Sequence, residues 1–314
     1  MRKIGFILSF FLSWSAHAQQ DAQFSQYMFN TIYFNPAVAG TDGRIQICGI
    51  YRSQWLGYTP TYSDGGPPVT QILSVHSPIQ RLHGGIGGFL VNDKLGPLNN
   101  IQAQGTYSYH SKIRNSILSF GIQGGIYVQT MNFGLYRAND PADPLLTGKI
   151  GKDTQIKPDL AAGIQFKHQK YSVGVGVSHL TMPSFDYGVN ADFRLKPHFY
   201  IHGSYEYDIS FEVKLKFFSL VKFNQNQNIF DVGALAYYKD YLWGGFSFRQ
   251  SEAIILLLGY SFLKSKALKF GYSLDYVIRD RQAKQATSHE IMLQYSLPIN
   301  ISQKKIIRTP RFRY

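Results

Sequence analysis

Histidine is the residue type in this sequence best suited to bind a metal, and its nine copies are scattered along the chain. His198 and His202 would share one face of a strand, but four residues along a strand span roughly 13 Å. One metal ion cannot contact both, so we predict no metal site. No segment resembles the nucleophile elbow of a hydrolase, and Gly84–Gly88 lacks both the spacing and the following helix of a phosphate-binding loop. We therefore predict no catalytic residues, no cofactor and a protein that is not an enzyme.

The composition departs from that of a soluble domain. Aromatic residues reach 15% and charged residues only 16%, whereas soluble domains devote about a quarter of their residues to charge. The chain also contains 29 glycines, 22 tyrosines and 23 phenylalanines. A β-barrel in lipid has this balance, because its outer wall is apolar, its interior is polar and its rims carry aromatic rings.

The N-terminus has the pattern of an export signal. Two basic residues precede an apolar run from Ile4 to Trp14. Small residues at Ala16 and Ala18 have the spacing that a signal peptidase reads, which predicts cleavage between Ala18 and Gln19. A membrane anchor is the alternative, but about eleven apolar residues are too few to span a bilayer as a helix.

No later segment has the length of a transmembrane helix. The most apolar one, Ala253–Leu263, again has about eleven residues, where a spanning helix needs about twenty. The sole cysteine, Cys48, lies well beyond the signal, so we predict neither a lipoprotein nor an internal disulfide. A closed barrel is the only helix-free structure that can cross lipid with its backbone hydrogen bonds satisfied.

Apolar residues alternate with polar or small ones along most of the chain. Val173, Val175 and Val177, for example, are separated by single glycines, which is the period of a strand with one apolar face. Such segments run for about 9 to 12 residues, and a tilted strand needs roughly 9 to 11 to cross a membrane. We predict about fourteen strands by this period. They begin near residues 44, 69, 84, 100, 116, 158, 170, 197, 211, 229, 241, 253, 268 and 287.

The links between these strands alternate in length. Links near 112–115, 168–170 and 239–240 are brief, whereas 130–157 and 180–196 on the opposite end are much longer. Outer-membrane barrels have short periplasmic turns and long external loops. The predicted fold is therefore all-β, a transmembrane outer-membrane β-barrel of about fourteen antiparallel strands with periplasmic termini. A large secreted β-sandwich or propeller is the alternative, although it would have shorter strands and more charge.

The predicted strands divide the chain into four parts: a signal peptide (1–18), an N-terminal periplasmic or plug segment (19–43), the barrel (44–297) and a basic periplasmic tail (298–314). Phe24, Tyr27 and Met28 share one face of a helical turn, and Asn35 precedes a proline and so avoids the helical region. We expect an ordered segment that plugs or lines the periplasmic mouth, because its apolar residues would be costly to leave in water. A flexible leader is the alternative. Glycine-rich strand faces suit an interior that accommodates something bulky, although glycine also marks bends.

Basic residues exceed acidic ones by thirteen. Five of them lie in the predicted tail without any acid: Lys304, Lys305, Arg308, Arg311 and Arg313. The export signal argues against nucleic acid as the partner. We expect the tail to contact an acidic periplasmic protein, peptidoglycan or lipid phosphates, with generic solubility as the alternative.

Three strings at the start of the predicted mature chain carry a family resemblance: FSQYMFN (24–30), NPAVAG (35–40) and YRSQW (51–55). Together they resemble the PorP/SprF family, outer-membrane components of the type IX secretion system of gliding and related bacteria (Bacteroidetes). Weaker matches follow in family order at 157–163, 174–180 and 289–293. The resemblance marks ten residues as motif positions and partner contacts: Phe24, Gln26, Tyr27, Asn30, Asn35, Pro36, Gly40, Arg52, Gln54 and Trp55.

The resemblance implies a non-enzymatic barrel that supports export or surface attachment of sorting-domain proteins, such as large cell-surface adhesins. Its implied partners are periplasmic ring or peptidoglycan-linked secretion components, the cargo and outer-membrane lipid. The alternative is an outer-membrane channel for small polar or hydrophobic solutes. A hydrated pore is physically possible, because polar residues are expected on lumen-facing positions: Gln102, Gln104, Glu212, Lys214, Lys216 and Asp275.

Overall fold

The computed structural model describes residues 21–60, 65–136, 150–188, 193–224, 228–263, 265–279 and 284–298. The expected signal peptide, its cleavage pair Ala18 and Gln19, and the basic residues of the tail lie outside these ranges. In the part of the chain that is described, no helix has the length and hydropathy needed to span a membrane.

Fourteen antiparallel strands close into one barrel, and β1 pairs with both β2 and β16 to complete the ring. The barrel strands are β1 (Arg44–Ser53), β2 (Val69–Ile79), β3 (Gly84–Leu95), β4 (Leu98–Ile113), β5 (Ser116–Asn132), β6 (Lys152–Lys167), β7 (Tyr171–Ser178), β10 (His198–Asp208), β11 (Val213–Phe223), β12 (Asn228–Tyr238), β13 (Leu242–Arg249), β14 (Ala253–Phe262), β15 (Leu268–Val277) and β16 (Thr287–Pro298). A separate two-stranded hairpin, β8 (Ser184–Phe185) and β9 (Phe193–Arg194), lies in the link between β7 and β10.

The predicted strand count and barrel are confirmed, and all strand starts but one lie within two residues of the prediction. The exception is β6, which begins at Lys152 rather than near 158. The strands β4, β5 and β6 have 16, 17 and 16 residues, longer than predicted. In the extended region, Leu98 of β4 and Tyr127 and Met131 of β5 pack in a cluster with Phe185 of the β8–β9 hairpin, and Gln155 of β6 accepts a hydrogen bond from the amide of Asp186. The alternation of a single strand cannot reveal these contacts.

The outer wall of the barrel is apolar and carries an aromatic belt at each end. Phe199 and Tyr205, both exposed, are six residues apart on β10, which is about 20 Å at 3.4 Å per residue. One belt contains Tyr51, Phe199, Phe230, Phe248 and Tyr276, and the other contains Tyr109, Tyr171, Tyr205, Tyr238, Tyr260 and Tyr295. A band of about 25 Å between aromatic girdles is the lipid-facing surface of outer-membrane barrels.

The two ends of the barrel differ in their links. At the end where β1 begins and β16 finishes, here called the turn end, no link exceeds five residues. At the opposite end, here called the loop end, the links 54–68, 133–151 and 179–197 are long. The predicted alternation is wrong at Gly96–Pro97 and at 250–252, where loop-end links are tight turns. Gly96 has a positive φ of 61°, and a two-residue turn of this kind closes a hairpin without a loop.

Candidate functional site

Residues 21–43, here called the lumenal segment, fill the interior of the barrel. Three short 3-10 helices shape it, at Tyr27–Phe29, Thr31–Tyr33 and Pro36–Val38. Asn35 has the extended backbone expected before a proline, and its side chain accepts a hydrogen bond of 2.9 Å from the amide of Ala37. Strands around the whole ring contact the segment, among them β1 through Arg52, β5 through Gly121 and β13 through Trp243.

The lumenal segment runs from the loop end toward the turn end. Asp21 lies beside His179, which directly follows β7 at the loop end. Asp42 contacts Lys167, the last residue of β6, at the turn end. The segment is divided here into residues 21–30, called the loop-end half after Asp21, and residues 31–42, called the turn-end half after Asp42, although Phe29 also reaches the turn end, where Gln46 donates to its carbonyl oxygen. The barrel holds the two halves by different means.

Charged side chains hold the loop-end half. The Glu290 carboxylate accepts hydrogen bonds from the backbone amides of Ser25 and Gln26, at 2.7 and 2.8 Å. Arg52 lies 2.7 Å from Asp275 and 3.4 Å from Glu290, and it donates to the Ser25 hydroxyl at 2.6 Å. All of these side chains are buried. The segment thus completes an ion-pair network that the barrel wall alone would leave with unpaired groups.

A second arginine extends the network. Arg249 donates to Asp231 at 3.0 Å and to the carbonyl oxygen of Phe24 at 2.9 Å. Its guanidinium also lies 3.8 Å from Glu252 and 3.7 Å from Asp275. Two guanidinium groups therefore face four carboxylates in this part of the lumen, and the two backbone amides at Glu290 offset part of the negative excess.

Aromatic side chains of the segment pack against aromatic side chains of the wall. Phe29 lies 4.8 Å from Trp243 between ring centroids, and Tyr27 lies 5.7 Å from Phe218. Phe34 contacts Tyr200 of β10 with centroids 5.2 Å apart. Such pairs add to the burial of large apolar areas, which anchors the segment to the wall.

Glycines of the barrel wall, here called the glycine seat, make room for the turn-end half. A Cβ atom at Gly121 would overlap the amide nitrogen of Ala37, and one at Gly176 would overlap the carbonyl oxygen of Phe34. Gly85 faces the carbonyl oxygen of Ala39 in the same way, and Gly163 leaves room for the side-chain amide of Asn35. Absent side chains on β3, β5, β6 and β7 thus let the backbone of the segment lie directly on the wall, which confirms the sequence interpretation of the glycine-rich faces.

A few neutral hydrogen bonds supplement this glycine seat. The Asn35 amide donates to the carbonyl oxygen of Ile164 at 3.0 Å and lies 2.9 Å from His202. Ser108 donates to the carbonyl oxygen of Ala37 at 3.0 Å. The turn-end half is therefore held mainly by shape and by single polar contacts.

The first described residue of the segment enters a buried polar cluster at the loop end. Asp21 lies 2.8 Å from His179, whose other ring nitrogen lies 2.8 Å from Asp159. Burial acts to raise the pKa of Asp21, but His179 and His198 lower it well below its usual range. Burial acts to lower the pKa of His179, but Asp21 and Asp159 raise it to about 10. Each of the two groups therefore favours the charged form of the other.

A second charged contact marks the turn end. Burial acts to raise the pKa of Asp42, but Lys167 lowers it to about 2. The two side chains remain partly exposed to solvent. They border a cleft of about 780 Å³ that is open to solvent and lies between the segment and β6, β7, β10 and β11.

The loop end carries its own cap. Phe185, Tyr187 and Leu195, from the β7–β10 link, pack with Tyr127 and Met131 on the inner face of β5. The Tyr187 hydroxyl donates to the carbonyl oxygen of Gln129 at 3.2 Å. The loop-end extension of β5 therefore supports this cap over the lumen.

The structure brings nearly all of the motif residues together inside the barrel. Phe24, Gln26, Tyr27, Asn30, Asn35, Pro36, Gly40, Arg52 and Gln54 are buried. They contact the barrel wall or the lumenal segment itself. Trp55 differs, because it lies at the loop end, half-buried, with its ring 5.6 Å from Tyr58 and 5.5 Å from the amino group of Lys284.

Sequence reasoning missed several residues that hold the segment. Arg249 and Asp231 were not singled out, and Glu290 was noted only within a motif. An acidic residue on the inward face of a membrane-crossing strand is itself a signal, because charge there requires a partner. Of the residues expected to line a pore, Gln102, Gln104 and Asp275 are buried in the lumen. Lys216 lines the turn-end cleft, and Lys214 pairs with Asp240. Glu212 is a correction: it lies in an exposed turn and pairs with Lys239.

Solved structures similar to this chain are outer-membrane barrels. The TodX deltaS2S3 mutant, a monoaromatic hydrocarbon channel, has a TM-score of 0.50 and 12% identity, with 86% of this chain and 94% of that chain covered. The Pseudomonas putida toluene transporter TodX gives 0.49 and 10%, with coverage of 89% and 95%. A Pseudomonas aeruginosa FadL homologue gives 0.46 and 14%, with coverage of 84% and 92%. At these identities the likeness concerns the fold.

Among curated proteins, none matches this chain. Residues 16–295 match the family described as type IX secretion system membrane protein PorP/SprF. That match, together with the closed barrel and its two aromatic belts, identifies an outer-membrane β-barrel. The chain belongs to the PorP/SprF family of type IX secretion system membrane proteins.

Proposed function

We propose that this protein is a non-enzymatic outer-membrane component of type IX secretion that supports export or surface attachment of sorting-domain proteins, such as large adhesins. The observation that carries the proposal is the lumenal segment, which fills a barrel of this family with its own chain. A filled barrel is suited to act as a binding platform. It is poorly suited to pass solutes, because its core is a packed aromatic cluster.

In this proposal the turn end faces the periplasm, as short turns do in outer-membrane barrels. The basic tail that follows β16 then meets periplasmic ring or peptidoglycan-linked components of the secretion system. Its five cations and the lysines of the turns suit an acidic partner or surface. Outer-membrane lipid surrounds the wall between the two aromatic belts.

The loop end is the surface that would meet cargo. Apolar side chains outside the strands are exposed there: Leu56, Ile150, Leu180 and Met182. Trp55, Tyr58 and Lys284 form an aromatic and basic patch beside them. Exposed apolar groups rimmed by polar ones are typical of protein contacts, and aromatic residues dominate such contacts energetically.

The test is the surface and medium proteome of a strain that lacks the gene, compared with its parent and with the complemented strain. Loss of one large sorting-domain protein from the surface supports a dedicated cargo partner. Loss of many secreted proteins together supports a general component of the machine. Unchanged secretion contradicts the proposal in both forms.

Complementation with variants tests the loop-end patch. The double substitution Trp55→Ala and Tyr58→Ala is expected to reduce surface cargo while the barrel still assembles. The matched control is Tyr107→Ala and Tyr109→Ala, which removes two tyrosines near the turn end. If the two strains have equal amounts of cargo on the surface and equal amounts of barrel in the membrane, the result contradicts a role of the patch in binding cargo.

The second candidate is a channel for small solutes, favoured by the polar side chains buried on the lumen wall, such as Gln102, Gln104 and Gln123. Conductance in planar bilayers separates the two functions. The platform predicts no steady conductance for the full chain and open-pore conductance after deletion of residues 22–42. Steady conductance of the intact chain, with normal secretion in the deletion strain, would favour the channel.

A further inference from the structure

Three metal-ligating side chains meet at the loop end, although they come from separate parts of the chain. Asp21 belongs to the lumenal segment, His179 directly follows β7, and His198 is the first residue of β10. Their donor atoms all lie within 4.8 Å of one another. The side chains of all three are less than one-tenth exposed.

The spacing of the donor atoms suits one small ion. Oδ1 of Asp21 lies 2.8 Å from Nε2 of His179, and Oδ2 lies 3.9 Å from Nδ1 of His198. A tetrahedral zinc ion with bonds of about 2.0–2.1 Å places its ligands about 3.3 Å apart. The two observed distances lie on either side of that value, and the third pair of donor atoms lies within 4.8 Å, so shifts of about 1.5 Å or less would bring all three to this spacing and leave a fourth position open.

A carboxylate behind His179 fixes the orientation of its ring. Oδ2 of Asp159 lies 2.8 Å from Nδ1 of His179. The other oxygen of Asp159 accepts hydrogen bonds from the amide of Leu160 at 2.9 Å and the hydroxyl of Thr181 at 3.3 Å. Metal-bound histidines are typically held in this way, with the second ring nitrogen donating to a carboxylate. This arrangement directs Nε2 of His179 toward Asp21.

The ring of His198 is held from its far side as well. The side-chain amide of Asn224 lies 2.9 Å from Nε2, which leaves Nδ1 toward Asp21. The same Nδ1 lies 2.9 Å from the carbonyl oxygen of Lys196, a hydrogen bond that a bound ion would replace. The hydroxyl of Tyr200 donates to Asp21 and holds that carboxylate in place.

We propose that Asp21, His179 and His198 bind one divalent transition-metal ion of the zinc type, with Asp159 as the positioning residue of His179. Imidazole nitrogens combined with one carboxylate suit zinc and its neighbours rather than calcium or magnesium. The bound ion would fasten the lumenal segment to both ends of the β7–β10 link. It would thereby join the lumenal segment to the cap that the β7–β10 link forms at the loop end.

The test uses the full mature chain in detergent, stripped with a chelator, dialysed and titrated with Zn²⁺. Metal per chain is measured by inductively coupled plasma mass spectrometry, and Co²⁺ serves as a spectroscopic probe. We expect about one Zn²⁺ per chain and visible d–d bands of four-coordinate Co²⁺. The proposal is overturned if the chain binds no more Zn²⁺ than a buffer blank without protein. It is also overturned if the Co²⁺ spectrum is that of the hydrated ion.

Variants locate the ion. Asp21→Asn, nearly isosteric, and His198→Gln are expected to abolish stoichiometric binding. Asp159→Asn is expected to weaken it by about 10- to 100-fold, as loss of an outer-shell partner does. His289→Gln is the matched control, because His289 is a half-buried histidine of β16 that contacts Tyr272 and not the lumenal segment. The heat-dependent shift in gel mobility verifies that each barrel is folded. Binding by folded Asp21→Asn equal to that of His289→Gln contradicts the site.

Discussion

The two halves of the lumenal segment are fixed inside the same barrel by opposite means. The loop-end half depends on side chains that are present, namely the network of Arg52, Arg249 and four carboxylates. The turn-end half depends on side chains that are absent, at glycines such as Gly121 and Gly176. The first arrangement costs desolvation of charges, and the second costs the conformational freedom of glycine.

The difference implies different responses to substitution. A charge network fails when one member is removed, because the others remain buried without a partner. A glycine seat fails when anything is added, because backbone already occupies the space. A substitution directed at one half should therefore raise the rate of hydrogen–deuterium exchange in that half and leave the rate in the other half unchanged.

The largest effect is expected for Arg52→Met, which leaves Asp275 and Glu290 buried without their nearest cation. Breaking a buried pair in this way costs about 3–5 kcal/mol. The measurement is the midpoint of urea unfolding of the barrel in detergent. Amide hydrogen–deuterium exchange is expected to rise at residues 24–27 before it rises elsewhere in the segment. Arg81→Met, at an exposed turn-end position, is the control. Equal midpoints for the two variants would contradict the role of the network.

Gly121→Ala is expected to have the next largest effect, because the added Cβ would overlap the backbone of Ala37. Overpacking of this kind costs about 1–3 kcal/mol. Exchange should rise at residues 34–40 while residues 24–27 stay protected, the reverse of the Arg52 variant. Gly105→Ala is the control, since its Cβ would lie 3.8 Å from its nearest neighbour. Equal loss of stability in both variants would mean that glycine content matters rather than the seat.

A smaller effect is expected for Asn35→Ala, which removes the cap of the Pro36–Val38 helix and the contact with Ile164. Loss of an N-cap costs about 0.5–2 kcal/mol. Asn132→Ala, which removes the cap of an exposed 3-10 helix, is the control. Chemical denaturation of both variants measures the difference. A cost no larger than that of the control would show that glycines alone hold the turn-end half.

The smallest effect is expected for Asp42→Asn at the turn end. The contact with Lys167 is partly exposed, and such pairs contribute less than about 1 kcal/mol at neutral pH. Because the folded pKa of Asp42 is lowered to about 2, its contribution is present above the unfolded value of about 3.9 and disappears as the pH falls toward 2. Unfolding midpoints of wild type and variant should converge over that range. A difference that persists at pH 2 would contradict an electrostatic role.

Much of the fold could be predicted because a barrel strand is a local pattern. The alternation on β7, for example, depends only on which residues face lipid, so strand starts followed from the sequence. The extension of β6 to Lys152 could not be predicted, because its contacts lie in a distant link, where the amide of Asp186 donates to the side chain of Gln155. The β8–β9 hairpin is too short for any period to reveal it.

The candidate site was predicted unevenly for the same reason. The strings around Phe24, Asn35 and Arg52 stood out by resemblance, but their burial inside the barrel did not follow from it. Asp275 and Glu290 meet Ser25 across 250 and 265 residues of sequence. The sequence paired His198 with His202 as the nearest histidines, whereas the fold places His198 beside Asp21 and His179.

The sequence by itself determined that this protein is a membrane barrel, because alternate residues of each strand face lipid and the lumen and therefore alternate between apolar and polar or small types. It also determined the family, through strings that need no structure to compare. Only the tertiary structure decided that residues 21–43 fill the lumen, with charges gathered at one end and glycines at the other. Those contacts join residues distant in sequence, and closure of the barrel brings them within hydrogen-bond distance.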